Sequence, residues 1–179
     1  LAPHGAVSGQ VHVGRTENPS ALGPAVVFLV SPEKVAPASP IVRTIRVREG
    51  RPASSFAVLG PGEAVRFASA DPIHHRFFAR SKSGEPIEIS IPPKSTSRPL
   101  RPRAAERGLR LYCHRREDES LLLFISPSPH YAVVDARGRY TIADVPRGTW
   151  RLHVWSEPIS GSVREIEVDG RGGNETIWL

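Results

Sequence analysis

The sequence predicts an all-β protein, on the evidence of its chain-breaking residues and its apolar periodicity. Eighteen prolines and fifteen glycines divide the 179 residues into short runs that are β-branched or alternate between apolar and polar. No stretch keeps the helical apolar period of 3.6 residues over three turns. The hydrophobic content of 39% is enough for a core, and no apolar run approaches the ~20 residues that cross a bilayer. We therefore expect a β-sandwich protein that does not span a membrane.

Short strands bounded by turn residues are predicted along the whole chain. Near the C-terminus, Gly138 is suited to a positive φ in a tight turn at 135–139, and 145–148 forms a second turn before an alternating strand. So many short strands indicate two sandwiches or one elaborated barrel. The predicted strands are 6–13, 25–30, 41–48, 64–68, 75–80, 85–91, 109–113, 120–125, 131–135, 139–142, 148–155, 163–168 and 176–179.

Two proline-rich breaks divide this succession of strands into domains. Residues 31–40 are rich in Pro, Ala and Ser, and 126–129 read Ser-Pro-Ser-Pro. The first strands have too few partners of their own to form a stable sandwich. We therefore expect residues 1–39 and 128–179 to form one β-sandwich, with a second domain at 40–127.

Positive charge is concentrated in the middle of the chain. Residues 41–116 hold sixteen Lys and Arg against six Asp and Glu, a net of +10, whereas 117–179 hold six against ten, a net of −4. Such a field attracts an acidic protein partner or an anionic envelope component, although a solvated loop would have the same composition. No nucleic-acid-binding motif accompanies the charge. The candidate partner-binding residues, called the basic segment below, are Arg98, Arg101, Arg103, Arg107, Arg110, Arg115 and Arg116.

Cys113 is the only cysteine, and it follows the pair His74-His75 by about forty residues. A thiolate and imidazoles on a β-scaffold are the minimal donors of a mononuclear copper site. A free cysteine is also commonly a small buried hydrophobic residue. His114 is next to Cys113, but adjacent side chains on an extended strand point to opposite faces. Metal binding and simple burial both stay open for Cys113.

Two sets of motifs cover nearly the whole chain. The flanking set is 9–13, 23–29 and 134–155, and the middle set is Val58-Leu-Gly-Pro-Gly-Glu-Ala-Val-Arg-Phe67, Ala70-Asp-Pro-Ile-His-His-Arg-Phe-Phe78 and Gly108-Leu-Arg-Leu-Tyr-Cys113. The flanking set resembles the carboxypeptidase regulatory-like, transthyretin-type β-sandwich. The middle set resembles a cupredoxin of the kind found in periplasmic methylamine-utilisation-like proteins. Together the two resemblances imply a cupredoxin-like Greek-key β-sandwich inserted in or packed on a transthyretin-like one.

The cupredoxin resemblance implies a set of copper ligands, of which this sequence has only part. The first histidine of the pattern corresponds to His75 and the cysteine to Cys113. The second histidine and the methionine correspond to Arg116 and Glu119. A guanidinium stays protonated and cannot ligate a cation. The resemblance therefore implies a degenerate site and no cofactor; copper binding would need His75, Cys113 and, as an improvised third ligand, His114.

The sequence contains no enzyme motif: no Gly-x-Ser-x-Gly elbow, phosphate-binding glycine loop or His-Glu-x-x-His helix. We expect a non-enzymatic accessory or interaction protein with a degenerate copper site. One alternative is a mononuclear copper electron carrier. Another is a cell-envelope or glycan-binding module that uses Trp150, Trp155 and Trp178, although core packing is the commoner role of tryptophan. The chain starts at Leu1 without a leader or initiator methionine, so we expect a mature periplasmic or otherwise extracytoplasmic form.

Overall fold

Every regular element that the structure describes is a β-strand, so the prediction of an all-β sandwich protein is confirmed. The described part includes no helix that is long and apolar enough to cross a membrane. The structure is a computed structural model, and it describes residues 4–12, 23–103, 107–157, 163–168 and 173–179. The strands are β1 (His4–His12), β2 (Ala25–Val30), β3 (Val42–Arg48), β4 (Arg51–Pro52), β5 (Phe56–Leu59), β6 (Ala64–Ser69), β7 (His75–Arg80), β8 (Pro86–Ile91), β9 (Gly108–Cys113), β10 (Arg116–Ile125), β11 (Tyr131–Val133), β12 (Arg139–Pro146), β13 (Gly148–Ser156), β14 (Val163–Val168), β15 (Gly173–Asn174) and β16 (Ile177–Trp178).

The chain divides into two compact units. One comprises Leu1–Ala36 together with Ser128–Leu179, and the other comprises Pro37–Pro127. The boundaries between the two units lie within the proline-rich segments at 31–40 and 126–129. The assignment of 1–39 with 128–179 to one domain, and of 40–127 to a second, stays a prediction.

The first unit is a sandwich built from both ends of the chain. One sheet has the order β12-β1-β15, with β16 also paired to β1, and the other has the order β11-β2-β13-β14. Strand β1 pairs antiparallel with β12 and parallel with β15 and β16. The resemblance of this unit to a transthyretin-type sandwich stays a prediction. Its core consists of Val7, Val11, Ala25, Val27, Leu29, Tyr140, Ile142, Val145, Leu152, Val154, Ile166, Val168 and Ile177.

The second unit consists of a five-stranded sheet, β5-β10-β9-β7-β8, and a three-stranded sheet, β4-β3-β6. The pairs β5·β10 and β3·β6 are parallel, and the other pairs are antiparallel. Strand β7 alternates strictly between buried and exposed residues, as a strand does when one face of its sheet covers a core. Phe77 is fully buried on its inner face and stacks on Phe67 of β6, with ring centroids 5.5 Å apart.

Three short strands were not predicted, and two strands extend well beyond their predicted bounds, namely β10 at its start and β12, which ends at Pro146 rather than at residue 142. Strands β4, β5 and β15 exist through pairing with segments that are distant in sequence or across a tight turn, which local propensity does not encode. Strand β10 begins at Arg116 rather than at residue 120. Its charged start pairs with Cys113, and a shift in register separates that pair from Ser120↔Tyr112.

A buried ion pair closes the turn between β5 and β6. Glu63 is 7% exposed and accepts two hydrogen bonds from the guanidinium of Arg43, at 2.6 and 3.1 Å. It also accepts the N–H of Gly60 at 2.8 Å. Burial pushes the pKa of Glu63 upward, but the hydrogen bonds from Arg43 and Gly60 outweigh it and hold the pKa below the ordinary 4.5. The carboxylate is therefore ionised at neutral pH.

Replacing this carboxylate by an amide tests its contribution to stability. Because the pKa of Glu63 is lower in the folded state, its stabilisation is complete above the ordinary value and disappears as the pH falls through the folded pKa. Glu63→Gln should cost about 1–2 kcal/mol at pH 7, since Arg43 is half exposed, and should reduce the loss of stability on acidification. Amide hydrogen exchange in β3 and β6 at pH 7 and pH 3 measures both effects. An equal pH dependence in variant and wild type would contradict the account.

Candidate functional site around Cys113

Strands β7 and β9 place the two predicted metal donors beside each other in the second unit. The strands are neighbours, with Phe77 opposite Cys113, so the first residue of β7, His75, lies near the last residue of β9. Both side chains face the inner side of the sheet. His75 is 1% exposed and Cys113 is fully buried.

The turn between β3 and β4 closes over this pair at Gly50. Gly50 has a φ of +79°, a conformation that glycine adopts without strain. The position that a Cβ atom would take on it lies 3.0 Å from Cys113 Sγ, 3.8 Å from His75 Nδ1 and 3.7 Å from Arg116 Cδ. The sulfur of Cys113, the imidazole of His75 and the aliphatic part of Arg116 therefore all lie close to Gly50.

A carboxylate orients the imidazole of His75. Nε2 lies 2.7 Å from Asp71 Oδ2, and the same oxygen accepts the N–H of Glu49 at 2.6 Å. Burial raises the pKa of Asp71, but hydrogen bonds from Glu49, His75 and Ser69 outweigh it and hold the pKa below the ordinary 3.8. An ionised acceptor at Nε2 makes that nitrogen the donor. Nδ1 of neutral His75 therefore keeps its lone pair.

His75 Nδ1 is buried and has no hydrogen-bond partner among the residues that the structure describes. Buried polar atoms without a partner are uncommon and costly. An imidazole that is held by a carboxylate at one nitrogen and free at the other, beside a thiol, has the arrangement of a metal ligand. His75 and Cys113 therefore provide two of the donors that a copper site needs.

The other donors of a copper site are not brought to this pair. Arg116, to which the cupredoxin resemblance assigns the second histidine's position, donates from Nε to the carbonyl oxygen of Glu49 at 2.9 Å. Glu119, to which it assigns the methionine's position, lies 3.0 Å from the guanidinium of Arg51. Within the described residues, no three His, Cys, Asp or Glu side chains could hold a metal ion together. A mononuclear blue-copper site takes two histidines, a cysteine and a weak axial ligand, so the residues present do not fit it.

His114 lies away from the candidate site, on the outer face of the sheet. Its side chain is exposed and meets the ring of Phe78 edge-on, with centroids 6.5 Å apart. Its backbone N–H donates to the carbonyl oxygen of Arg76 at 2.9 Å, which continues the strand pairing past Cys113. Strand alternation thus keeps the imidazole of His114 on the face opposite the sulfur.

Asp71, Glu49 and Gly50 are site residues that the sequence analysis did not identify. Asp71 stands four residues before His75 in Asp-Pro-Ile-His-His. This short spacing could have indicated that the carboxylate of Asp71 binds one ring nitrogen of His75 and leaves the other free. The approach of Gly50 to the sulfur depends on the turn 49–50, where Glu49 also has a positive φ of 52°. That contact joins residues distant in sequence and has no local signature.

The residues of the basic segment do not all lie beside Cys113, and their partner-binding role stays a prediction. Strand β9 separates its residues, because Arg107 precedes the start of the strand whereas Arg115 follows its end, roughly 15–20 Å away. Arg101 bonds the carbonyl oxygen of Gly62, in the turn before β6. Arg103 lies 3.8 Å from Glu85, beside the β7–β8 turn. Both turns lie at the end of the sheet where β9 begins.

The remaining members of the basic segment occupy three different settings. Arg98 is exposed in the loop that pairs with β6. Arg110 is half-buried on β9 and donates to Ser120 Oγ at 2.8 Å. Arg115 and Arg116 lie at the Cys113 end, in an open cleft. The cleft is lined by Glu49, Asp71, Pro72, Ile73, His75, Arg115, Arg116 and Asp118.

The three tryptophans differ in exposure. Trp150 packs against the core of the first unit and donates its indole N–H to the carbonyl oxygen of Pro146 at 2.9 Å. Trp155 is half-buried. Trp178 is more than half exposed and stacks on His12, with centroids 4.3 Å apart. Trp150 thus has the core role that is common for tryptophan, and Trp178 has the exposure that a sugar-stacking residue needs.

Comparisons with known proteins give a distant structural likeness. No protein-family model and no curated protein matches the sequence. Among solved structures, amicyanin from Paracoccus versutus has 8% identity and a TM-score of 0.42, over 56% of this chain and 97% of amicyanin. A methionine-to-alanine mutant of amicyanin in the Cu(I) form gives the same identity and TM-score over 98% of its length. A likeness this remote does not establish a shared metal or activity.

Proposed function

We propose that this chain is a non-enzymatic, extracytoplasmic accessory protein whose second unit is a cupredoxin-like domain with a degenerate copper site. In this role the protein binds a partner and holds no metal. The observation that carries the proposal is the position of Arg116. Its Cδ lies within 4 Å of the Cβ position of Gly50, as do Cys113 Sγ and His75 Nδ1. A cationic side chain therefore stands beside the two candidate donors, His75 and Cys113.

Charge and geometry both favour loss of the metal. A metal cation beside Cys113 would be close to a guanidinium that stays protonated at every ordinary pH. The hydrogen bond from Arg116 Nε to Glu49 also fixes the turn that covers the sulfur. Two donors leave a copper ion short of the third strong ligand that blue-copper geometry requires.

The cupredoxin-like interpretation draws its support from the second unit itself. Its strands form a five-stranded and a three-stranded sheet around a shared core, as in a β-sandwich. The histidine and the cysteine that the resemblance implies lie side by side at the ends of β7 and β9.

A mononuclear copper electron carrier is the second candidate, and one observation favours it. His75 Nδ1 has no hydrogen-bond partner among the described residues, although it is buried, and it shares a point of approach with Cys113 Sγ. A metal ion would satisfy that nitrogen. The carrier would then need a third ligand from a residue that the structure places elsewhere.

Copper retention separates the two candidates. We expect wild-type protein and Cys113→Ser, each equilibrated with Cu(I) or Cu(II) and then dialysed, to retain the same small amount of copper, because the pair lacks a third donor. His75→Gln serves as a second control for the imidazole. One equivalent of copper held by the wild type and lost in both variants would establish the copper carrier instead.

A further inference from the structure

A small pocket lies beside the Cys113 end of the five-stranded sheet, and four basic side chains line it: His74, Arg76, His114 and Arg115. Strand β7 is strictly alternating, so Arg76 points outward while its neighbours His75 and Phe77 point to the core. The pocket therefore contains none of the residues that form the candidate site around Cys113.

Three chain segments bring these side chains together. His114 is held against β7 by its N–H, which donates to the carbonyl oxygen of Arg76 at 2.9 Å. His74, just before β7, places Nε2 2.6 Å from Ser90 Oγ of β8. Arg115 follows His114 in the turn between β9 and β10. The backbone and side-chain contacts thus fix two of the four groups before any ligand arrives.

The lining is one-sided in charge. Two guanidiniums and two imidazoles face the pocket, and none of the four lining side chains is a carboxylate. Glu88 Oε1 lies 3.7 Å from Arg76 Nε, but both side chains are mostly exposed, and such a pair contributes little. Asp118 lines the neighbouring cleft that Arg115 also reaches. The pocket therefore offers donors and positive charge that weak surface pairs only partly offset.

We propose that this pocket binds an oxyanion, namely the phosphate group of an organic phosphate. Guanidinium forks match the oxygens of phosphate with paired, charge-assisted hydrogen bonds, and the imidazoles add further donors. This inference rests on the proposed function, in which the protein acts by binding a partner. It adds the chemical class of the ligand. The same phosphate group is found in soluble esters and in lipid headgroups.

An exposed aromatic pair beside the pocket favours an organic phosphate over the inorganic ion. Phe78 is 41% exposed, lies two residues after Arg76 on the same face of β7, and meets the ring of His114 at 6.5 Å. Its other neighbour is Tyr112 of β9, 36% exposed, with centroids 6.0 Å apart. These rings would contact the ring or acyl part of a phosphate ester bound at the basic side chains.

Titration with phenyl phosphate and with inorganic phosphate, followed by calorimetry and by NMR of the imidazoles, tests the proposal. Arg76→Gln with Arg115→Gln should weaken both ligands about tenfold or more, because each lost guanidinium removes charge-assisted hydrogen bonds. The matched control, Arg46→Gln with Arg66→Gln, removes the same charge from exposed positions on β3 and β6, outside the pocket and the basic segment, and should change binding less than about twofold. Phe78→Ser should weaken phenyl phosphate alone.

The outcomes separate specific binding from general attraction, and lipid from soluble ester. Melting temperatures that match the wild type show that the variants are folded. The proposal would be overturned if the pocket variant and the control lose phosphate affinity equally, or if the wild type binds neither phosphate. A lipid headgroup would be identified as the ligand if the protein binds phosphatidic acid vesicles but not phosphatidylcholine vesicles, and if the pocket variant loses this binding. Copper retention does not depend on these side chains, so failure here leaves the account of the Cys113 site unchanged.

Discussion

Replacing Gly9 by alanine is expected to destabilise the first unit by about 3 kcal/mol, at the upper end of what overpacking costs. A Cβ on Gly9 would lie 1.8 Å from the carbonyl oxygen of Glu175 and 2.8 Å from Tyr140 Oη. The Tyr140 hydroxyl donates to that same oxygen at 2.7 Å, and the N–H of Glu175 donates to Ser8. A backbone atom cannot yield as a flexible side chain does, so the C-terminal strands would have to move away from β1.

Urea denaturation followed by tryptophan fluorescence measures this effect in the first unit alone, because all three tryptophans belong to it. Gly173→Ala is the matched control, since it lies on the paired strand β15 and a Cβ there meets no atom within 4 Å. It should leave the midpoint nearly unchanged. If the two variants unfold at the same urea concentration, the close approach of β1 to the C-terminal segment is not what holds this unit together.

Placing a histidine and a methionine where the cupredoxin resemblance assigns them is expected to create copper affinity where the wild type has little. In Arg116→His with Glu119→Met, the cation beside Cys113 is replaced by an imidazole, and a soft thioether is added at the second assigned position. We expect Cu(II) affinity about a hundredfold or more above that of the wild type, since a third strong donor completes the set. Competitive titration against a chelator of known affinity measures the gain.

The neighbouring substitutions Arg115→His with Asp118→Met provide the control for the double variant. They add the same two residue types to the same turn, but outside the register that the cupredoxin resemblance assigns. Their copper affinity should stay at the wild-type level. A folded double variant that binds copper no better than this control would show that Arg116 does not occupy a ligand position.

The strands were largely predictable because local pattern encodes them. Strand β2 is a short apolar run, and both β2 and β7 begin and end at their predicted residues. Strand β5 has too few residues to show a period, and its pairing with β10 is parallel and joins residues far apart in sequence. Pairing of this kind is decided by the tertiary fold rather than by propensity.

The candidate site was predictable only in part, for the same physical reason. The cupredoxin resemblance implied His75 and Cys113, and the structure brings them together through the pairing of β7 with β9. The approach of Gly50 and the carboxylate of Asp71 come from turns whose geometry no periodicity describes. The basic segment is continuous in sequence but is divided by the length of β9. Charge density along a chain therefore did not predict charge density on the surface.

The visible absorption spectrum of the wild-type protein mixed with one equivalent of Cu(II) tests the central claim most directly. Coordination of Cu(II) by a cysteine thiolate gives the intense absorption of blue-copper sites. Because Arg116 stands beside Cys113 and no third donor reaches the pair in the described residues, we predict no such band. A stoichiometric blue or green complex that disappears in Cys113→Ala would contradict the account.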